Sequence, residues 1–222
     1  MTKIISILLV DDHPLLRQAL KDVLAKIQDF EVVGEAGDGE QAIEMTGKLK
    51  PDIVLMDISM PKINGLEATR LIKASHPEIS VLVLTVHVED EYILDILQAG
   101  AAGYLIKSVF GNEVVEAIRA VVSGDMVLSP LIGQHLIKHA ARHPTKPLAL
   151  ISGEKLSIRE QEILKLAAQG NSNKDIARIL DINLRTVKGY LTEIFSKLQV
   201  SSRTEAVITG LRAGFISFDD IQ

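Results

Sequence analysis

The sequence predicts two domains: an α/β domain on a doubly wound, five-stranded parallel sheet, and then an all-α domain of four helices. Five short apolar runs alternate with helically spaced segments over residues 1–124. Four of the five runs are apolar apart from Ser6 in the first, as in strands that are covered on both faces. After residue 156 the start and stop signals are those of helices alone. The chain has 222 residues and 47% hydrophobic content, enough for two cores.

The apolar runs are the predicted strands. They are Ile4 to Val10, Glu31 to Glu35, Ile53 to Met56, Val81 to Leu84 and Gly103 to Ile106. Strands that alternate with helices favour a parallel sheet with right-handed crossovers. Ligands of such sheets bind at the carboxyl ends of the strands.

The predicted α/β domain covers residues 1–124, and residues 125–155 are a predicted linker. Leu131 to Ala141 could form one short helix within it. Two prolines between Arg142 and Pro147 prevent regular structure there. The helical domain is therefore predicted to cover residues 156–222.

Four good N-cap residues predict the starts of the four helices. They are Ser157, Ser172, Asn183 and Ser202. Gly170 and Gly214 are predicted to end the first and the last helix. The third helix is predicted to run from about Leu184 to Leu198, after a short break that is typical of a helix-turn-helix.

The composition excludes several classes of protein. The absence of cysteine excludes disulfides, thiolate zinc sites and cysteine nucleophiles. No apolar run reaches the roughly 18–20 residues of a membrane span, and the first residues carry no signal-peptide pattern, so we expect a cytoplasmic protein without membrane contact. The net charge of −5 is uneven: residues 1–151 hold 14 Lys and Arg against 20 Asp and Glu, and residues 152–222 hold 10 against 9.

Three aspartates follow neighbouring predicted strands. Asp11 and Asp12 come directly after the first strand, and Asp57 directly after the third. Their carboxylates would repel each other at one sheet edge unless a cation joined them, and a hard ion such as Mg²⁺ suits oxygen ligands. The alternative is that each aspartate is only a turn residue or a helix N-cap.

Two more strand ends carry polar groups that favour the site. Thr85 ends the fourth strand with a hydroxyl, and Lys107 ends the fifth with an ammonium group. Phosphoryl transfer to aspartate requires a carboxylate nucleophile, a metal ion, a hydroxyl and a cation.

The third helix of the C-terminal domain has two distinct faces. Val187, Leu191, Ile194 and Leu198 form one apolar stripe. Arg185, Lys188 and Thr192 lie elsewhere on the helix, where they could enter a DNA major groove. The alternative is a solvated polar face.

The first 124 residues resemble the receiver domain of two-component response regulators, a flavodoxin-like fold. The resemblance lies in Val10-Asp11-Asp12, the run from Asp57 to Gly65, Thr85 and Lys107. It implies that Asp57 accepts phosphate, that Asp11, Asp12, Asp57 and the Ser59 carbonyl hold Mg²⁺, and that Thr85 and Lys107 bind the phosphoryl oxygens. It also implies that Thr85 and His87 move on phosphorylation.

This segment departs from the receiver pattern after Lys107. Many receivers have proline at the next position, where Ser108 stands. A cis Lys107–Ser108 bond would cost about 2.5–4 kcal/mol, more than a cis proline bond. The isomer of this bond stays open.

The C-terminal domain resembles the LuxR-type helix-turn-helix, and the whole chain resembles a NarL/FixJ-family response regulator. The matching motifs run from Leu156 to Leu164, from Asn173 to Ala177, from Thr186 to Lys188 and from Ser202 to Ala206. The resemblance places Lys188, Gly189 and Thr192 towards DNA bases, and Lys174, Arg185 and Thr186 nearer phosphates. Tyr190 stands where histidine is common, and Gly189 offers no side chain to a base.

The sequence therefore predicts a transcription regulator that a sensor histidine kinase switches by phosphorylating Asp57. Its predicted partners are that kinase, double-stranded DNA and a second copy of the chain. By the resemblance the last helix supplies the dimer contact, although Ala206, Val207 and Leu211 could equally be core. Two alternatives stay open: a Mg²⁺-dependent aspartyl phosphatase, and a DNA-binding regulator gated by a ligand or partner protein without phosphorylation. Ser59 stands where such a phosphatase needs a second carboxylate.

Overall fold

A computed structural model describes residues 3–85, 95–107, 111–128, 156–217 and 220. Four of the predictions lie outside these residues. They concern His87, the Lys107–Ser108 bond, the short helix from Leu131 to Ala141 and the linker at residues 142–155.

The α/β domain contains one parallel sheet of the order β2-β1-β3-β4-β5-β6. The strands are β1 (Ile5–Val10), β2 (Phe30–Ala36), β3 (Ile53–Asp57), β4 (Ser80–Thr85), β5 (Gly103–Ile106) and β6 (Val127–Leu128). The five predicted strands are thus confirmed. Their boundaries shift by one residue at most. Where a strand is longer than its apolar run, the backbone of the end residue still pairs with the neighbouring strand. The strand β6 was not predicted. It has two residues, which pair with the first half of β5, and so short a segment has no recognisable strand pattern in the sequence.

Helices connect the strands on both faces of the sheet. They are α1 (Pro14–Leu24), α2 (Gly39–Leu49), α3 (Gly65–Ser75) and α4 (Asn112–Ser123), and residues 95–98 are also helical. Asp38 and Asn64 cap α2 and α3 by accepting hydrogen bonds from backbone amides three residues ahead. The two capped helices follow β2 and β3, so their first turns lie at the carboxyl edge of the sheet.

Two apolar clusters cover the two faces, which confirms the doubly wound arrangement. One contains Met56, Ile72, Ile96 and Tyr104, and the other contains Leu9, Leu24, Leu55 and Ile118. Alternate residues of β1 and β3 enter opposite clusters, because successive side chains of a strand point to opposite faces.

The C-terminal domain contains the four predicted helices. They are α5 (Ile158–Ala168), α6 (Asn173–Ile179), α7 (Leu184–Leu198) and α8 (Arg203–Arg212). Each predicted cap accepts a hydrogen bond from the backbone amide three residues on, and Ser157 with Glu160 forms a complete capping box. Gly170 and Gly214 follow α5 and α8 with φ angles of 81° and 74°, the left-handed conformation that ends helices.

A separate core holds this domain together. The predicted stripe of α7, from Val187 to Leu198, is buried in it. Ala206 and Val207 of α8 belong to the same core and Leu211 packs against it, so the core alternative is correct for these three. Within the described residues, no helix combines the length and the apolar character that crossing a bilayer requires.

Candidate functional site

An acidic pocket lies at the carboxyl ends of β1 and β3. Asp11 and Asp12 follow β1, Asp57 is the last residue of β3, and β1 and β3 pair directly. Asp11 and Asp57 are 3% and 2% exposed, whereas the Asp12 side chain is 29% exposed. The strand ends therefore bring Asp11 and Asp12 close to Asp57, which lies 45 positions beyond Asp12 in the sequence.

One oxygen of each buried carboxylate accepts a local backbone hydrogen bond. Asp57 Oδ1 accepts from the amide of Ile58 at 2.8 Å, and Asp11 Oδ1 accepts from the amide of His13 at 2.8 Å. The Oδ2 atoms of Asp11 and Asp57 both face Lys107 Nζ, at 2.7 and 2.9 Å. The Lys107 ammonium thus bridges two carboxylates.

Lys107 remains a cation in this position. Burial by itself would lower the pKa of Lys107, but hydrogen bonds and charge from Asp11 and Asp57 outweigh burial and raise it above its ordinary value. Its side chain is only 11% exposed, so this charge is little screened by water.

Thr85 lies at the same edge of the sheet. It ends β4, next to β3, and is fully buried. Its carbonyl oxygen accepts a hydrogen bond from the Lys107 amide at 2.6 Å, which ties the ends of β4 and β5 together. The structure therefore brings together the five predicted pocket residues that follow or end strands.

The donor set of the pocket fits a hard divalent cation. Asp11, Asp12, His13 and Asp57 each offer one ligand atom, and these atoms lie within 4.8 Å of one another. Three carboxylates against one ammonium group leave an excess of negative charge, and carboxylate oxygens are the ligands that Mg²⁺ prefers. Ser59 is exposed two residues beyond Asp57.

The loop after Asp57 depends on Gly65, the first residue of α3. The Gly65 amide donates to the Ile58 carbonyl at 2.9 Å. A Cβ at Gly65 would lie 1.9 Å from the carbonyl oxygen of Asp57, so only glycine allows α3 to start this close to the pocket.

Two side chains at the rim were not predicted. His13 Nδ1 lies 2.7 Å from Asp12 Oδ1, and Arg17 donates to the carbonyl of Asp11 at 2.6 Å. Their signal in the sequence is position alone, since His13 follows the two aspartates and Arg17 lies one helical turn further on.

The predicted DNA-binding residues lie on α6 and α7. Thr186 is partly exposed. The other five are exposed: Lys174, Arg185, Lys188, Gly189 and Thr192. The Thr186 hydroxyl donates to Asn183 Oδ1 at 3.0 Å, so it takes part in the cap of α7. The space around a Cβ built at Gly189 is open to 4 Å. All but Lys174 lie between Arg185 and Thr192 of α7, outside the buried stripe.

Two known families match two separate parts of the chain. The response regulator receiver domain matches residues 7–119, and the family described as "Bacterial regulatory proteins, luxR family" matches residues 154–209.

Several characterised proteins are similar over nearly the full length. The transcriptional regulatory protein DegU of Brevibacillus brevis is 37% identical over 229 residues, which cover 96% of this chain and 95% of that protein. The response regulator protein VraR of Staphylococcus aureus is 39% identical over 212 residues, which cover 96% and 99%. The crystal structure of the response regulator ChrA of a heme-sensing two-component system matches with a TM-score of 0.52 and 35% identity, over 97% of this chain and all of that one.

Proposed function

This chain belongs to the two-component response regulators that join a receiver domain to a LuxR-type DNA-binding domain, and we propose that phosphorylation of Asp57 switches its binding to DNA. The observation that carries the proposal is the pocket itself. Asp57 is a buried carboxylate at a strand end. The Lys107 ammonium, the buried Thr85 and the carboxylates of Asp11 and Asp12 lie at the same edge of the sheet.

The chemistry proposed for the pocket is phosphoryl transfer from a phosphohistidine of a sensor kinase. An oxygen of Asp57 attacks the phosphorus, so that a P–O bond forms and the P–N bond breaks, and the imidazole leaves as a neutral ring because its other nitrogen already carries a proton. Lys107 lies 2.9 Å from Asp57 Oδ2, where its charge can stabilise the transferred oxygens. Thr85 ends β4 at the same edge of the sheet, and its hydroxyl would donate to the bound phosphoryl group.

Asp11, Asp12, Asp57 and the carbonyl of Ser59 are the proposed ligands of Mg²⁺. When bound, the ion would neutralise part of the charge of the carboxylates and of the phosphoryl oxygens. Slow hydrolysis of the acyl phosphate in the same pocket would reset the protein, so we propose no turnover of external substrates.

The proposed output surface is the exposed side of α6 and α7. Lys188, Gly189 and Thr192 would face bases, and Lys174, Arg185 and Thr186 would approach phosphates. Arg185 and Lys188 lie on the first two turns of α7, the part of a recognition helix that enters the major groove. Because one such helix contacts only a few base pairs, we propose that the phosphorylated chain binds as a homodimer in the cytoplasm.

The movement that links the two sites would begin at the pocket. Bound phosphate would draw the Thr85 hydroxyl inward, and the proposed rotamer change of His87 would follow. The face formed by the helix before β5, β5 itself and α4 would then repack and change the contacts of the receiver.

Intact-protein mass spectrometry tests the phosphorylation step. Wild type and Asp57→Asn are incubated with acetyl phosphate and Mg²⁺, and the gain of one phosphoryl group, about 80 Da for an acyl-phosphate adduct, is expected in wild type alone. A gain of equal size in Asp57→Asn would place the phosphate elsewhere and contradict the assignment of Asp57.

DNA binding is tested with the same two proteins. A duplex selected by phosphorylated wild type from a random library is titrated by fluorescence anisotropy, with and without acetyl phosphate. Tighter binding after phosphorylation is expected for wild type and no change for Asp57→Asn. Equal affinity of all four samples would instead favour a regulator gated by a ligand or a partner protein.

A further inference from the structure

His13 lies at the rim of the acidic pocket, at the start of α1. It is the N-cap residue of α1, but its side chain makes no capping hydrogen bond to the helix. The ring is 70% exposed, and its Nδ1 lies 2.7 Å from Asp12 Oδ1 and 3.4 Å from Asp11 Oδ1. The imidazole nitrogen therefore lies beside two of the three pocket carboxylates, where an ion from solvent can reach it.

The close approach of His13 to Asp12 does not have the geometry of a hydrogen bond. Asp12 Oδ1 is buried, and within the described part of the chain it accepts no hydrogen bond, although His13 Nδ1 is only 2.7 Å away. Both atoms can therefore direct a lone pair at a third position, as two ligands of one metal ion do. With bonds of 2.0–2.2 Å, two neighbouring ligands of an ion are about 3 Å apart, close to the separation of this pair.

The backbone holds the His13 ring in this place. Its amide donates to Asp11 Oδ1 at 2.8 Å, and it is followed by Pro14, which restricts the backbone of the residue before it. Arg17 donates to the Asp11 carbonyl at 2.6 Å, and the Asp11 amide donates to the Ala36 carbonyl at 3.1 Å. This short segment is therefore fixed before any ion arrives, as a preorganised site requires.

His13 and Lys107 lie beside different oxygens of the pocket. The Lys107 ammonium faces Oδ2 of Asp11 and of Asp57, whereas His13 Nδ1 lies beside Oδ1 of Asp11 and of Asp12. The ligand atoms of His13 and of the three aspartates all lie within 4.8 Å of one another. One ion can therefore reach the ring nitrogen and the carboxylates together, and the ring does not compete with Lys107 for the same oxygens.

A nitrogen ligand changes which ions the pocket prefers. Mg²⁺ takes oxygen ligands and usually keeps several waters, so it gains little from an imidazole. Divalent transition ions accept imidazole, and their affinity for mixed nitrogen and oxygen sites rises from Mn²⁺ to Cu²⁺. The ring of His13 therefore favours transition ions and leaves the oxygen ligands of Mg²⁺ in place.

We propose that His13 is a metal ligand of the pocket, which makes the pocket a mixed aspartate and histidine site that binds divalent first-row transition ions in preference to Mg²⁺. The proposal rests on the proposed function, because the same pocket holds the ion that phosphorylation of Asp57 uses. It adds that the ring of His13, together with the carboxylates, decides which ion that is.

Pulsed electron paramagnetic resonance of bound Mn²⁺ tests the ligand directly, because a nitrogen bonded to Mn²⁺ modulates the spin echo. Nitrogen modulation is expected in wild type and is expected to disappear in His13→Ser. Serine is a good N-cap and has no side-chain nitrogen, so the variant keeps the start of α1. Mn²⁺ bound to any other histidine would give the same signal in both proteins.

Affinities for two ions measure the selectivity. Free Mn²⁺ is quantified by its resonance signal, and the affinity for Mg²⁺ follows from competition with Mn²⁺. His13→Ser is expected to bind Mn²⁺ about 10- to 100-fold more weakly, the usual loss when a metal site loses a supporting residue, and to bind Mg²⁺ as wild type does. Asp12→Asn is expected to weaken the binding of both ions.

His76→Ser is the matched control. His76 is in the same domain and also lies beside a carboxylate, with its Nδ1 3.7 Å from Glu78 Oε1, but it follows the last residue of α3, outside the pocket. Its replacement is expected to change neither the nitrogen modulation nor the affinity for either ion.

Three results would overturn the proposal. Absence of nitrogen modulation in wild type would show that the ring does not bind the ion, and equal modulation in His13→Ser would assign the nitrogen to another residue. An equal loss of Mn²⁺ and Mg²⁺ affinity in His13→Ser would show that the ring only orients Asp12. Failure of the proposed function is separate, because it appears as a missing phosphoryl mass in wild type while the Mn²⁺ signal remains.

Discussion

The pocket and the DNA-binding surface contain the same residue types under opposite conditions. Lys107 and Thr85 are buried at strand ends, whereas Lys188 and Thr192 are exposed on α7. Two carboxylates within 2.9 Å keep Lys107 charged where water screens little, and Lys188 is surrounded by solvent. The buried pair is therefore preorganised, whereas the exposed Lys188 would adopt its final geometry against DNA in the proposed function.

The contrast extends to one glycine in each region. Gly65 has no room for a Cβ, and Gly189 has open space around one. The same substitution should therefore have opposite effects on stability at the two sites, and the following variants test the contrast from the largest expected effect to the smallest.

Lys107→Met should slow phosphorylation of Asp57 by about 10²- to 10³-fold, the usual loss when one preorganised charge is removed from a buried site. The rate of appearance of the phosphorylated mass with acetyl phosphate measures it. Lys48→Met is the control, since the Lys48 side chain is 68% exposed on α2 and pairs with Glu44. A wild-type rate for Lys107→Met would mean that this cation does not stabilise the transferred group.

Gly65→Ala should lower the free energy of unfolding by about 1–3 kcal/mol, because the new Cβ forces α3 away from the Asp57 carbonyl. Chemical denaturation followed by circular dichroism measures it. Gly47→Ala in α2 is the matched control, since its Cβ would have an ordinary contact at 3.6 Å with His76. Equal stability of the two variants would contradict the close approach of α3 to β3.

Lys188→Ala should weaken binding to the selected duplex by about 1–3 kcal/mol if the side chain contacts a base, with a smaller loss on a random duplex. Anisotropy titrations at several salt concentrations measure both losses. Lys165→Ala on α5 controls for the loss of one positive charge. An equal loss of affinity on both duplexes would assign Lys188 to a phosphate instead. The slope of log affinity against log salt concentration would then also be smaller by about one.

Gly189→Ala should raise the free energy of unfolding by about 1 kcal/mol, because alanine favours a helix interior over glycine and the added methyl has no neighbour to displace. Denaturation of Gly189→Ala beside Gly65→Ala gives the sign of each change in one experiment. A loss of stability at Gly189 would mean that the exposed side of α7 is covered in solution.

Much of the fold and of the pocket could be predicted because the signals are local. Asp57 and Lys107 each stand directly after an apolar run, and parallel strands bring their ends to one edge whatever the loops between them. The N-caps of the C-terminal domain are equally local, since each side chain bonds to an amide three residues away. The roles of Ala206 and Val207 were open for the opposite reason: an apolar residue on a short helix fits a core and an interface equally well.

The sequence by itself determined the parallel sheet, the residues that meet at its carboxyl edge, and the start of every helix in the DNA-binding domain. Only the tertiary structure decided where that domain lies. The hydrogen bond from Thr204 to the Ala102 carbonyl joins residues 102 positions apart, and it pairs a hydroxyl with a backbone group that every residue carries. Strand ends and caps are specified by residue type within a few positions, whereas docking depends on the shape and charge of two finished surfaces, which no local pattern encodes.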